Sequence, residues 1–549
     1  MSQKKQTGFM DSKTIMAIVL VGLSWIAWQA YMKKKYPHMY EKKAPIEQTK
    51  EKSQLKLNNN VETPSAVPNM EKLGKVELEA KNQKMKVPET FVHYEDEYWS
   101  FDISSKGMGI RHLQLKKYVD RKGSLVTVGS KSLAPIFSTN LAGYRGVLDF
   151  TIEKTGPAEF KGVAKSEVGQ IIKWVRLRSS QYVMDTEVIA KDLTPSFVGL
   201  TVNIGDGIYT SKEGSFMLPA FDNQEFFVNS KSGNDRFLVN AEDLSEIDQT
   251  TSQVKIGALG TQYFAQGVID SSEVIPEFRT YGDNQSNVVF GSLKYTILNK
   301  LDAFKVQYKT FAGPKSFEML ERIDADFAEI VNFGMFSFIA QYILRLMKWF
   351  YSILGNWGLA ITLLTIIVRL IVLPFAMMSY KSMKNMQKLQ PQMKALREKY
   401  AEDRQRLNQE MMVLMKNHRV NPLGGCLPML LQFPVFIALY QVLGQSIELY
   451  QAPFGLWIYD LSLKDPYYVL PVLMGITMFI QQKITPSTMD PTQAKVLMFM
   501  PLLFTFFMVS LPSGLTLYIF VSTLFGILQQ IYFMREKKTE LKTAEVIAK

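Results

Sequence analysis

The stretch WGLAITLLTIIVRLIVLPFAMM, residues 357–378, decides how this chain is read. Its 22 residues hold a single charge, Arg369. About 20 mostly apolar residues suffice to cross a bilayer as a helix. A central arginine on a lipid-facing helix costs roughly 2.5–3.5 kcal/mol on insertion scales, so this one is expected to face water, an opposite charge or a substrate. Thr362, Thr365 and Arg369 fall at i, i+3 and i+7 and share one face of the helix. The plainer alternative is an arginine that snorkels to a headgroup or pairs with a structural carboxylate.

Further apolar runs follow at about 423–447, 467–482, 496–511 and 514–533, and one precedes, from Thr14 to Met32. With 357–378 they make six expected transmembrane helices. The Thr14–Met32 run has bulky residues at its exit (Trp25, Trp28, Tyr31) and no pair of small residues at cleavage spacing, so it reads as an uncleaved signal anchor. Charge sets the topology. Segment 380–419 carries ten Lys/Arg against four Asp/Glu, loop 448–465 one against three, and tail 535–549 five against three. Positive-inside counting therefore puts 380–419 and the tail in the cytoplasm and 448–465 outside; the anchor reading puts the N-terminus inside as well, although Lys33, Lys34 and Lys35 leave the first helix ambiguous by itself. Within 380–419, Met383, Met386, Leu389, Met393, Leu396 and Tyr400 recur at helical spacing, and Leu407, Met411, Leu414 and Met415 form a second run. That is a cytoplasmic helical hairpin with a Met-rich seam, more often the hairpin's own core than a binding groove.

The part before the membrane core differs. The chain has 549 residues, 47% of them hydrophobic, and a net charge of +12, much of it beside the spans. Residues 41–90 contain no Phe, Trp or Tyr and cannot bury enough surface to fold, so they read as a tether. From Phe91 to about Pro314, short alternating runs (Tyr98–Ile103, Ile172–Arg178, Tyr182–Ala190, Val198–Ile204, Phe304–Thr310) are broken by Gly205-Asp206-Gly207 and Gly233-Asn234-Asp235. This is the pattern of a large antiparallel β-sandwich. An exposed aromatic there would suit a sugar or peptide groove, but core packing is the expected role of Trp99 and Trp174. Phe336, Ile339, Ile343, Met347 and Phe350 fall at helical spacing with Arg345 and Lys348 among them. They make an amphipathic helix, expected at the membrane interface rather than capping the β domain. The organisation is thus an anchor (1–33), tether (34–90), extracytoplasmic β-sandwich (91–315), linker with interfacial helix (316–356), span 357–378, hairpin (379–420), four further spans (421–534) and a basic tail (535–549).

Polar residues in the spans extend the constellation around Arg369. Tyr518, Ser522 and Gln529 stand at i, i+4 and i+11 on one face, and Gln432 lies between Pro428 and Pro434. Single hydroxyls and amides are common in membrane helices; together with one cation they suit a water-containing groove. The acids between Trp357 and Tyr532, from Glu398 to Asp490, all fall in loops or in the hairpin. A deep structural salt bridge and a carboxylate proton relay both lose ground. No G-x-x-x-x-G-K-[ST] phosphate loop is present, the four histidines have no metal-ligand spacing, and Cys426 is the only cysteine. No catalytic residue, metal or cofactor is expected.

Trp357-Gly358-Leu359-Ala360-Ile361, Arg369, Asn421-Pro422-Leu423-Gly424-Gly425-Cys426, Gln451-Ala452-Pro453-Phe454, Asp465-Pro466-Tyr467-Tyr468 and Pro512-Ser513-Gly514-Leu515 occur in this order. Together they resemble the YidC/Oxa/Alb membrane insertases. The anchor, the large β domain and Phe311-Ala312-Gly313-Pro314-Lys315 at its end resemble the Gram-negative YidC form. The resemblance implies a polytopic α-helical membrane protein of six transmembrane helices, five clustered as the insertase core, with a periplasmic β domain. It implies insertion of nascent membrane proteins into the inner membrane, alone or beside the Sec translocon, through a lipid-open groove centred on Arg369. Ribosome or signal recognition particle machinery would meet the hairpin and tail. The groove set is Arg369, Thr365, Thr362, Gln432, Tyr518 and Ser522. The sequence departs from the family pattern at Ile519, where members often carry a second aromatic. Two rival readings are a secondary transporter with an anion site at Arg369, which should show internal repeats, and a membrane-tethered binding protein whose β domain is the active part.

Overall fold

The structure, a computed structural model, describes residues 88–549 apart from 130–131, 145, 209–223, 240–243, 245–246, 298–302, 419–426, 486–490 and 548–549. The expected anchor, nearly all of the tether, and the Asn421–Cys426 motif lie outside the described residues.

Among the described residues, 91–314 form three antiparallel sheets. The largest has nine strands, in the order Gly233–Leu238, Glu225–Ser230, Val254–Gly260, Phe264–Asp270, Ala303–Pro314, Val183–Lys191, Gly169–Arg178, Glu159–Ser166 and Thr151–Gly156. A five-stranded sheet (Asp248–Thr251, Glu277–Asp283, Val288–Thr296, Gly199–Ile208, Thr139–Leu141) lies against it. Phe226 meets Phe278 across the gap at 5.9 Å, and Tyr295 stacks with Tyr308 at 6.3 Å. The third sheet runs from Phe91–Glu95 to Leu125–Val128. It packs through Trp99, whose ring lies 5.8 Å from Tyr182 and whose Nε1 donates to Ala312 O at 3.2 Å. The runs read from sequence as strands all lie on observed strands. Gly205-Asp206-Gly207, however, is not a turn. It sits inside Gly199–Ile208, where the register shifts between Asn203 and Gly205. Gly205 has φ +140°, and a Cβ there would stand 2.0 Å from Gln266 Nε2, so the glycine supplies a bulge rather than a chain reversal.

Trp174 also departs from expectation. In Gly169–Arg178 the inward positions are Ile171, Lys173, Val175 and Leu177, which leaves Trp174 half-exposed on the outer face with Lys161 Nζ 5.1 Å over its ring. Side chains alternate with period two, so the three aliphatic residues fix the register and place the lysine inside. Lys173 Nζ donates to Phe137 O at 2.7 Å and to Met108 O at 3.0 Å. Burial pushes its pKa down to about 7, against the pull of those carbonyls on the charged form.

Helices follow the sheets. Here α1 is Phe317–Ile323, α2 Ser337–Leu354, α3 Trp357–Lys399, α4 Arg404–Asn417, α5 Leu427–Gln445, α6 Val469–Ile484, α7 Pro491–Met508 and α8 Ser513–Ile547. α2 buries Ile343, Leu344, Met347 and Phe350, packs on α3 and α5, and exposes Phe338, Tyr342, Trp349 and Ile353. Gly355, at φ +63°, ends it, and the Asn356 side chain accepts from Leu359 N at 3.0 Å to start α3. α3 does not stop at Met378. It continues unbroken for 43 residues into the first arm of the hairpin, because Lys, Met, Gln and Leu favour helix beyond the apolar run. Met386, Leu389 and Met393 pack on Met411, Leu414 and Met415 of α4, so the Met seam is the hairpin's own core. By length and hydropathy, α3 and Ser513–Phe533 of α8 could cross a membrane, while Val469–Ile484 and Met498–Met508 are shorter apolar helices. Six crossing helices are therefore not reached among the described residues.

The sequence motifs meet at the end of the bundle nearest the sheets. A Cβ on Gly358 would lie 2.0 Å from Phe454 Cδ2. Asp465 accepts from Trp457 Nε1 at 3.1 Å, Tyr467 N at 3.0 Å and Leu470 N at 2.7 Å, which caps α6. Ser513 N and Gly514 N donate to Leu463 O and Leu461 O at 2.6 and 3.0 Å. The β domain rests on this end: Tyr450 OH donates to Val119 O at 2.9 Å and Gln262 Nε2 to Gly444 O at 2.7 Å.

Gly358→Val should lower the thermal midpoint of the detergent-solubilised protein, because overpacking costs about 1–3 kcal/mol and Phe454 is anchored by its own loop. Lys173 gives a pH signature. Its folded pKa of about 7 lies below the ordinary lysine value of 10.5, so between these values the unfolded chain holds more protons and stability rises with pH. Lys173→Met should flatten that rise between pH 7 and 10, read as the thermal midpoint against pH; an unchanged slope would mean that Lys173 does not drive it.

Candidate functional site

Arg369 lies 12 residues into α3, about 18 Å along its axis from Trp357. Its side chain is half-buried. Opposite it, α8 presents Tyr518 and Ser522, both buried. They share a face because they are one helical turn apart. Arg369 Nε donates to Ser522 Oγ at 2.8 Å. Gln432 of α5 donates through Nε2 to the same oxygen at 3.0 Å and to Tyr518 OH at 3.0 Å. One serine oxygen therefore accepts from two helices. Four of the six residues expected at the site are joined in a single network: Arg369, Ser522, Gln432 and Tyr518.

The two threonines are placed differently. Thr365 Oγ1 donates to Ile361 O at 2.6 Å and Thr362 Oγ1 to Gly358 O at 2.9 Å. Thr365 is 0% exposed, packed inside the bundle rather than lining open space. Each hydroxyl bonds to the carbonyl one turn back on its own helix, so neither joins the Arg369 network. Their shared face is correct as geometry, but helix periodicity alone cannot say what that face meets.

Three residues complete the site without having been singled out by sequence. A Cβ on Gly526 of α8 would stand 2.9 Å from Gln481 Nε2 and 3.8 Å from Arg369 Nη1. Tyr380 OH donates to Gly526 O at 3.4 Å. Gly526 thus leaves room for Arg369 and Gln481 to approach the α8 backbone, and Tyr380 borders the same place. The signal for Gln481 was present, as an amide pair (Gln481-Gln482) at the end of an apolar run. Nothing local marks Gly526, because its role depends on which helix crosses it.

The electrostatics follow from what is missing around the guanidinium. Among the described residues, no carboxylate pairs with Arg369, and its hydrogen bond to Ser522 uses only Nε. Among the described residues the terminal nitrogens have no hydrogen-bond partner. A cation without a counter-ion in an apolar bundle attracts acceptors strongly, because the effective dielectric there is low. Ile519, where a second aromatic was expected from the family pattern, is buried beside Tyr518.

Ser522→Ala should destabilise the bundle more than Gln432→Leu. The first leaves Arg369 Nε without its acceptor and Gln432 with only Tyr518, costing about 1–3 kcal/mol per buried orphan; the second removes a donor along with both of its bonds. Denaturant unfolding in detergent measures the order, and the reverse order would show that Ser522 does not hold Arg369 in place.

Two family models match the chain: "YidC periplasmic domain" over residues 92–346 and "60Kd inner membrane protein" over residues 349–540. Similar proteins include the membrane protein insertase YidC of Geotalea uraniireducens (strain Rf4), 37% identical over 465 residues, covering 78% of this chain and 84% of the relative. That of Geobacter sp. (strain M21) is 35% identical over 447 residues, covering 78% and 83%. That of Geotalea daltonii (strain DSM 22248 / JCM 15807 / FRC-32) is 47% identical over 288 residues; there the match spans 52% of this chain and about half, 54%, of the relative's length.

Proposed function

The chain belongs to the YidC membrane protein insertase family, and from that premise we propose that it moves hydrophobic segments of nascent membrane proteins from the cytoplasm into the inner membrane through a polar groove centred on Arg369. The observation that carries this reading is the guanidinium tethered through Nε to Ser522, with its terminal nitrogens unspent and no carboxylate partner among the described residues. A permanent structural ion pair would consume those donors; a transient guest needs them free.

The mechanism is physical and requires no bond-making. Arg369 attracts the polar, often acidic, part of a substrate and offsets the cost of taking it out of water. The apolar segment that follows leaves the groove sideways into lipid, driven by its removal from water. A membrane potential adds about 2.3 kcal/mol per charge per 100 mV. On this reading six helices cross the membrane, with both termini and the hairpin cytoplasmic and the β domain periplasmic; the ten Lys/Arg against four Asp/Glu of segment 380–419 support that orientation. The exposed Phe338, Tyr342, Trp349 and Ile353 of α2 lie in the outer membrane–water interface, where aromatic side chains are favoured. The Sec translocon is a partner in the membrane. The basic hairpin and tail receive ribosome or signal recognition particle machinery, to which their positive charge is suited.

In reconstituted vesicles, Arg369→Lys should keep most insertion of a substrate with an acidic translocated tail, and Arg369→Glu should lose more than about tenfold, equivalent to at least ~1.4 kcal/mol. Equal rates for the two variants would remove the electrostatic account. Deleting residues 91–310 should leave most insertion intact; complete loss in a protein that still folds would make the β domain the working part.

A further inference from the structure

The face of α8 that carries Tyr518 and Ser522 continues beyond the Arg369 network. Gln529 lies seven residues past Ser522, at nearly the same angle around the helix and about 10 Å further along it, toward the hairpin end of the bundle. Between them Gly526 leaves the face without a side chain, and the Arg369 and Gln481 nitrogens lie over that gap. Gln529 is 8% exposed, and its Nε2 is buried with no hydrogen-bond partner among the described residues. The next residue behaves in the ordinary way: Gln530 exchanges hydrogen bonds with Thr485 of the segment after α6 at 3.3 Å.

A buried amide with an unpaired donor is expensive, more so at membrane depth where no bulk water can satisfy it. Leucine, of similar size, would fill the space at no such cost, so helix packing gives no reason for glutamine here. An unpaired, buried donor on the same helix face as the Arg369 network is explained if its acceptor arrives with the substrate. We propose that Gln529 is a substrate-positioning residue, whose amide donates to a backbone carbonyl of the entering polypeptide before the polar segment reaches Arg369. The proposal rests on the insertase reading above. The chemistry suits its place. A polypeptide not yet helical carries unpaired carbonyls that lipid cannot satisfy, and a neutral amide takes any of them without regard to sequence. The spacing suits it too: about 10 Å is three residues of extended chain. One carbonyl at Gln529 and an acceptor three residues ahead at Arg369 are therefore held together, with the Gly526 gap between them.

The test uses the full-length protein in vesicles with two substrates, one carrying an acidic translocated tail and one an apolar hairpin with almost no translocated tail. Gln529→Leu should slow insertion of the first by about threefold to tenfold, the size of one hydrogen bond to a neutral group. It should leave the second unchanged and leave the thermal midpoint in detergent equal or higher. Gln529→Asn, which keeps the amide, should recover part of the rate. Arg369→Ala runs alongside. If Arg369→Ala is impaired and Gln529→Leu inserts both substrates at the unmodified rate, the proposal is overturned and the insertase reading stands. If Arg369→Ala has no effect, the groove reading itself fails. A lowered thermal midpoint with equal losses on both substrates would make Gln529 a packing residue and overturn its positioning role.

Discussion

One hydroxyl oxygen, Ser522 Oγ, holds the centre of the bundle together. It takes a hydrogen bond from Arg369 of α3 and another from Gln432 of α5, while itself belonging to α8. Three helices are thereby referenced to one atom. The arrangement fixes the guanidinium through the nitrogen nearest its stem and leaves the terminal nitrogens projecting. A carboxylate in the place of Ser522 would have satisfied the cation and neutralised the site. A hydroxyl orients the charge without cancelling it.

The two ends of the bundle differ in how firmly they are built. At the β-domain end the loops are fastened by short backbone and side-chain bonds: Asp465 caps α6, Ser513 and Gly514 lock onto residues 461–463, and Phe454 fills the notch at Gly358. Lys348 and Glu448 tie α2 to the outer end of α5, and the β domain lies across the same loops. At the other end, α3 runs straight out of the bundle into the hairpin, whose small core of Met386, Leu389 and Met393 is separate from the main one. Among the described residues, one end of the bundle is cross-braced by loops and the other is joined by α3 to a hairpin with its own small core.

The β domain obeys the same economy of buried polar groups. Lys173 is inside because its aliphatic neighbours on the strand are inside, and it is tolerated because backbone carbonyls meet it. Lys315, at the end of the last strand, is likewise buried, donates to Thr261 O at 3.0 Å, and has its pKa lowered by burial to about 8. Both lysines are met by backbone carbonyls, and Glu225 lies near enough to Lys315 to favour its charged form. The two lysines donate to backbone carbonyls, whereas Arg369, among the described residues, donates only through Nε to Ser522.

Much of this was legible in the chain itself. The apolar run 357–378 with one arginine, the Met periodicity of the hairpin and the alternating strands of the β domain are local patterns, and local patterns survive folding because each helix or strand repeats its own period. The face shared by Tyr518, Ser522 and Gln529 was likewise fixed by helix geometry before any partner was known. What the sequence could not decide was which faces meet. Thr365 is on the same side of α3 as Arg369, yet it is fully buried and bonds only to its own helix, while Arg369 one turn on reaches Ser522 of α8. Trp174 pointed outward although its size suggested the core, because register is set by the majority of a strand's residues. Gly526, Gln481 and Tyr380 form a site only through helix crossings, and a crossing depends on every side chain in the interface at once. Periodicity assigns each residue a direction; the packing of other chain segments against it decides whether that direction leads to lipid, to protein or to an open groove.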